Sequence, residues 1–112
     1  GAPSDDRIKF DEAALTGGLD SVRLLQPRTY KQVRSLDDPQ VNGEPCIGFV
    51  AQEVEAIAGL DCLVKEMTDP KRMSEKIKTV DYNGMTAVNT QALKELLAKV
   101  EALETRVAAL EA

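Results

Sequence analysis

At 112 residues, with 43% hydrophobic and 29% charged, the chain reads as one soluble globular domain of ordinary composition, neither collagen-like nor disordered. A net charge of -5 leaves no surplus of cations to neutralise phosphates, which argues against a nucleic-acid or anionic-membrane partner. Histidine is absent, so Ser-His-Asp triads, Cys-His pairs and histidine metal ligands are all excluded.

The two cysteines, Cys46 and Cys62, are too few for a disulfide framework and too far apart for a zinc motif; they are expected to be small buried apolar residues in a chain made in a reducing compartment. No run approaches the roughly 18 apolar residues of a membrane span, and the first residues lack the basic-then-apolar layout of a secretion signal. Gly1-Ala2-Pro3 reads as a linker or vector-derived remnant, and Ser4-Asp5-Asp6-Arg7-Ile8-Lys9-Phe10 as a short edge strand.

Gly17-Gly18 breaks the chain, and Leu19, Val22, Leu24 and Leu25 predict a short helix stopped by Pro27, which disfavours the helical conformation in the residue before it. A strand is expected over 28–33. The turn formers Asp37, Asp38, Pro39, Asn42, Gly43 and Pro45 predict an exposed loop over 35–45. Cys46-Ile47-Gly48-Phe49-Val50 is a strand-like apolar run, followed by a helix over 51–58 that ends at Gly59. Leu63-Val64 and 77–80 are further strands, with a charged loop over 67–76 between them. Phe49, Val50, Val54 and Tyr82 are assigned to the core.

Leu93, Leu96, Val100, Leu103, Val107 and Leu110 recur in alternating steps of three and four, the seam of a coiled coil. With Leu93 at position a, Leu96, Leu103 and Leu110 fall at d, and Val100 and Val107 at a. Lys99 and Arg106 then fall at g, opposite Glu104 and Glu111 at e of a parallel neighbour. The same stripe would suit packing onto the chain's own globule, but the matched charges favour self-association. Val at a with Leu at d favours two strands, whereas Leu93 at a and Leu97 at e widen the apolar face toward higher order, so periodicity leaves dimer and trimer open.

Without histidine, a hydroxyl nucleophile needs a lysine base, and Ser4 with Lys9 is one such pair among many. A lysine acts as a base near neutral pH only where burial or a neighbouring cation depresses its pKa; Arg7 would help and Asp5 and Asp6 oppose. The competing reading makes Ser4-Asp5-Asp6 a turn or cap and Lys9 a solvated edge charge. Asp5 is expected to hold the local backbone or Arg7. Gln52 and Glu53 lie at a strand-to-helix junction, suited either to capping or contact between copies or to plain surface.

Ser4-Asp5-x-Arg7-x-Lys9, Leu25-x-Pro27-x-x-Tyr30, Ile47-Gly48-Phe49-Val50-Ala51-Gln52-Glu53-Val54, Val80-Asp81-Tyr82 and a terminal Leu/Glu/Ala-rich helix follow one another in this order. Together they resemble the endosialidase-type intramolecular chaperone domain over nearly the whole chain from Ser4 to Ala112. The Gly-Phe-Val-Ala-Gln-Glu-Val run is the most specific element. Proteins of that family end phage tailspikes and tail fibres, related viral surface proteins and the membrane-bound myelin-gene regulatory factor.

The resemblance implies a C-terminal domain that trimerises, brings three copies of an upstream passenger into register, and cuts itself off with a Ser-Lys dyad, Ser4 as nucleophile and Lys9 as general base. No metal or cofactor is required. Attack by a serine on its own carbonyl would close a strained four-membered lactone, whereas attack on the preceding carbonyl passes through a five-membered ring; the bond between Pro3 and Ser4 is therefore the expected cleavage site. The expected architecture is α+β: a linker over 1–3, a small globule of short strands and helices over 4–84, and a C-terminal helix over 85–112 forming a parallel homotrimeric coiled coil. Assembly is expected in the cytoplasm of the producing cell, with the passenger a virion component. A non-catalytic trimerisation cap is the alternative from a different class, and a coiled-coil adaptor for another helical protein a third, poorly suited by the self-complementary charges.

Overall fold

A computed structural model describes residues 1–33, 36–37, 43–68 and 75–112. Its elements are α1 (Gly18–Leu24), β1 (Arg28–Tyr30), β2 (Cys46–Gly48), α2 (Ala51–Glu55), β3 (Val64–Met67), β4 (Ile77–Val80) and α3 (Tyr82–Glu111). The architecture is mixed α+β, with short strands and helices followed by one long helix. Much of the 35–45 loop and of the 67–76 loop, including Asp38, Pro39 and Asn42, lies outside the described residues.

The strands form two separate antiparallel pairs. β1 faces β2 with Thr29 opposite Ile47, and β3 faces β4 with Lys65 opposite Thr79. α1 ends as Pro27 requires: Leu25 is already extended, and its N–H still bonds back to Ser21 and Val22. α2 stops at Glu55, short of the 58 expected from Gly59, and the chain then turns at Gly59, whose φ of 86° suits a residue without a Cβ. Asp81 starts α3 by accepting the N–H of Gly84 at 3.0 Å, an N-cap that sets the helix three residues before position 85.

The core collects Leu25, Ala51, Val54, Ile57, Leu60, Leu63, Val64, Met85 and Val88, with Phe49 and Val80 packed on its margin. Only Met85, Val88 and Ala92 of α3 are buried, so the rest of the helix projects from the globule. A 30-residue helix is about 45 Å long. That projection raises the radius of gyration to 19.1 Å, against roughly 13 Å for a compact domain of this length.

Three expectations are corrected. Residues 4–10 are not an edge strand: Asp6–Ile8 form a 3₁₀ turn, because the Asp5 carboxylate caps the Arg7 N–H and the Ile8 and Lys9 amides close back on Asp5 and Asp6. Cys62 is exposed and Cys46 only half-buried. Cys62 sits in the 3₁₀ turn Asp61–Leu63, where Leu63 is the residue that turns inward. Val50 and Tyr82 are also exposed rather than core, since both lie at element starts on the rim of the globule.

Candidate active site

The 3₁₀ turn decides how Ser4 and Lys9 are placed. In a continuous strand, residues five apart point to opposite faces and lie roughly 17 Å from each other. With Asp5 and Lys9 extended on either side of the turn, the chain instead folds the two side chains together, and Lys9 Nζ donates to Ser4 Oγ at 2.6 Å. Arg7 fixes the turn from outside: its Nε and Nη2 donate to the two Asp5 carboxylate oxygens at 3.1 and 2.8 Å. This pairing holds the Asp5 carboxyl below the ordinary carboxylate range and raises the Arg7 guanidinium further. The Asp5 carboxylate therefore holds both the local backbone and Arg7.

Around Lys9 the field is acidic. The Glu12 carboxyl is lifted by its hydrogen bond with Asp6, and the charge of Lys9 acts in the opposite sense. Residues 1–16 are all exposed, including Ser4, Lys9 and the apolar side chains of Ile8, Phe10 and Leu15. Ser4 and Lys9 thus both lie on an exposed N-terminal segment.

The Gly-Phe-Val-Ala-Gln-Glu-Val run links β2 to α2 and carries two contacts that composition did not signal. Arg28 on β1 makes a two-pronged pair with Glu53 on α2, both bonds 2.6 Å long; this pulls the Glu53 carboxyl below its usual range. Glu53 therefore has a partner within its own chain. The hydroxyl of Tyr82 accepts the N–H of Phe49 at 3.1 Å. A Cβ on Gly48 would stand 2.5 Å from the Tyr82 hydroxyl and 2.9 Å from that of Tyr30, so only glycine lets both rings close over β2. Burial and the neighbouring Tyr82 raise the Tyr30 phenol. The signal was present in the sequence, since Tyr30, Gly48 and Tyr82 each belong to one of the quoted motifs.

The six seam residues line one side of α3 and are exposed, from 42% at Val100 to 85% at Leu110. Among the described residues, no apolar surface of the same chain covers this stripe beyond Leu96. Each Leu or Val buried in full gains about 1.5–3 kcal/mol, so a partner helix is the physical complement of this face.

The family model Peptidase_S74, described as chaperone of endosialidase, matches residues 4–65, more than half of the chain, beginning at Ser4. The long tail fiber protein Gp37 of Escherichia phage AR1 is 31% identical over 93 residues, covering 82% of this chain and 8% of that protein. The long tail fiber protein Gp37 of Salmonella phage S16 is 36% identical over 91 residues, covering 80% of this chain and 12% of that protein. The chain therefore spans about a tenth of the length of these curated relatives. It belongs to the chaperone of endosialidase family of self-cleaving peptidases.

Proposed function

We propose that this domain assembles into a parallel homotrimer, brings three copies of an upstream tail-fibre-like passenger into register, and releases itself by cutting the bond between Pro3 and Ser4. The observation that carries this reading is the 2.6 Å contact between Lys9 Nζ and Ser4 Oγ. As an ammonium, Lys9 donates along that line; as a neutral amine it accepts the serine proton along the same line. Ser4 Oγ then attacks the Pro3 carbonyl carbon, the peptide C–N bond breaks, and Lys9 returns the proton to the departing Ser4 nitrogen. The product is an ester between Pro3 and the Ser4 oxygen. Water hydrolyses it to a Pro3 carboxylate and a free Ser4 hydroxyl.

In the single chain both groups of the proposed dyad are exposed. Covering this N-terminal segment in the assembly would desolvate Lys9 and favour its neutral form, so that cutting follows correct assembly. The self-complementary pairs Lys99–Glu104 and Arg106–Glu111, together with the exposed Leu/Val stripe, support copies of the same chain as the covering partner. Family membership and the two tail-fibre relatives support a virion passenger made and assembled in the cytoplasm of the producing cell.

The test is a passenger fused ahead of Pro3. The wild-type fusion is expected to yield two fragments, and Ser4→Ala and Lys9→Ala to yield none while assembling normally. A fusion cut equally well in both variants would overturn the dyad. Assembly without cutting in the wild type would leave the domain a structural cap.

A further inference from the structure

Beside the heptad seam, α1 lies against α3 and leaves a groove of about 250 Å³ lined by Leu19, Val22, Asn89, Ala92, Leu93 and Leu96. Two contacts fix how α1 sits against α3. Gly18 brings the helices so close that a Cβ there would stand 2.6 Å from the Ala92 nitrogen. Glu95 on α3 accepts the N–H groups of Gly18 at 3.0 Å and Leu19 at 3.3 Å. The groove is apolar, and nothing among the described residues fills it.

Heptad arithmetic identifies an occupant independently of the groove. In a parallel bundle, a g residue faces the e residue five positions later on the neighbour. Two of the g–e pairs, Lys99–Glu104 and Arg106–Glu111, are oppositely charged; the one before them is Ala92–Leu97 and is apolar. Ala92 lies in the groove, flanked across α1 by Leu19 and Val22. Leu97 is 56% exposed in its own chain.

We infer that Leu97 of one copy seats in the α1/α3 groove of the next copy, so that the globule as well as the helix forms the interface. This rests on the self-association proposed above. A second copy is the occupant because the register that delivers Leu97 to Ala92 also aligns both charged pairs, and an unrelated helix would have to reproduce all three. The consequence is mechanical: α1 is the element nearest in sequence to the arm carrying Ser4 and Lys9, and a neighbour's leucine on α1 ties helix assembly to the catalytic end of the chain.

The test uses full-length chains with Cys46→Ser and Cys62→Ser. Chains carrying Val22→Cys are refolded together with chains carrying Leu97→Cys, and the mixture is oxidised. A disulfide-linked product of twice the chain mass, absent when either variant is refolded alone, is expected. Leu103→Cys, at a d position, serves as the control for the bundle itself. If light scattering gives an oligomer and Leu103→Cys cross-links but the mixture does not, the groove contact is wrong and the bundle stands. If the wild-type chain is a monomer, the assembly reading fails and this inference with it. Should a cysteine variant not fold, Val22→Ala and Leu97→Ala replace it, read by thermal midpoint at fixed chain concentration; non-additive losses support the contact and additive losses overturn it.

Discussion

Glu95 accepts a hydrogen bond from the backbone N–H of Gly18 at 3.0 Å, so the long helix caps the short one from the side. α1 starts at a glycine pair and has no side-chain cap of its own. A carboxylate supplied from 77 residues away satisfies its first amides and complements the positive end of its dipole.

This contact has a pH signature. The Glu95 carboxyl is held below its usual range, first by the hydrogen bond from Gln91, then by the amides of Gly18 and Leu19 and the charge of Lys99, against the effect of desolvation. A depressed carboxyl stabilises the fold above its unfolded value near 4.5 and loses that contribution as the pH falls through the lower folded value. Glu95→Gln should therefore lower the thermal midpoint at neutral pH, and the gap from wild type should narrow progressively below pH 4.5. A gap that stays constant on acidification would show that the charge contributes nothing.

Gly48→Ala tests the two-tyrosine closure over β2. The added methyl meets the hydroxyls of both Tyr30 and Tyr82, and overpacking of this kind costs about 1–3 kcal/mol. Pairing it with Tyr82→Phe removes one of the obstructing oxygens, so chemical denaturation should find the double variant less destabilised than the sum of the two single changes.

The charge pattern on α3 predicts a heterotypic rescue. Lys99→Glu with Arg106→Glu places acids opposite Glu104 and Glu111, and should shift the sedimentation profile toward monomer at low salt. Glu104→Lys with Glu111→Lys should do the same. Mixing the two variants should restore oligomers in part, since a trimer of two and one has opposite charges at two of its three interfaces, and the effect should weaken at high salt.

Much of the fold was legible because its signals are local. Pro27 and the alternating three- and four-residue steps from Leu93 onward fix an element end and a face without reference to the rest of the chain. The edge strand expected over 4–10 fails on an equally local effect, the Asx-type capping of Arg7 by Asp5, which outweighs the alternation of Ile8 and Phe10. Long-range pairings were not legible. Arg28 with Glu53 and Glu95 with Gly18 join residues 25 and 77 positions apart, and no periodicity carries such information. Exposure was misjudged at Val50 and Tyr82, which lie at element starts, and at Cys62, inside a 3₁₀ turn, because an apolar residue is apolar in any sequence window, and only the packed globule shows which way it faces.

For the pair at Ser4 and Lys9, the most direct measurement is the intact mass of a passenger fusion before and after assembly. The account predicts two products whose masses sum to that of the precursor plus one water, the smaller beginning at Ser4, formed only once oligomers appear. A fusion that assembles to the same oligomer and remains a single uncut chain would contradict it.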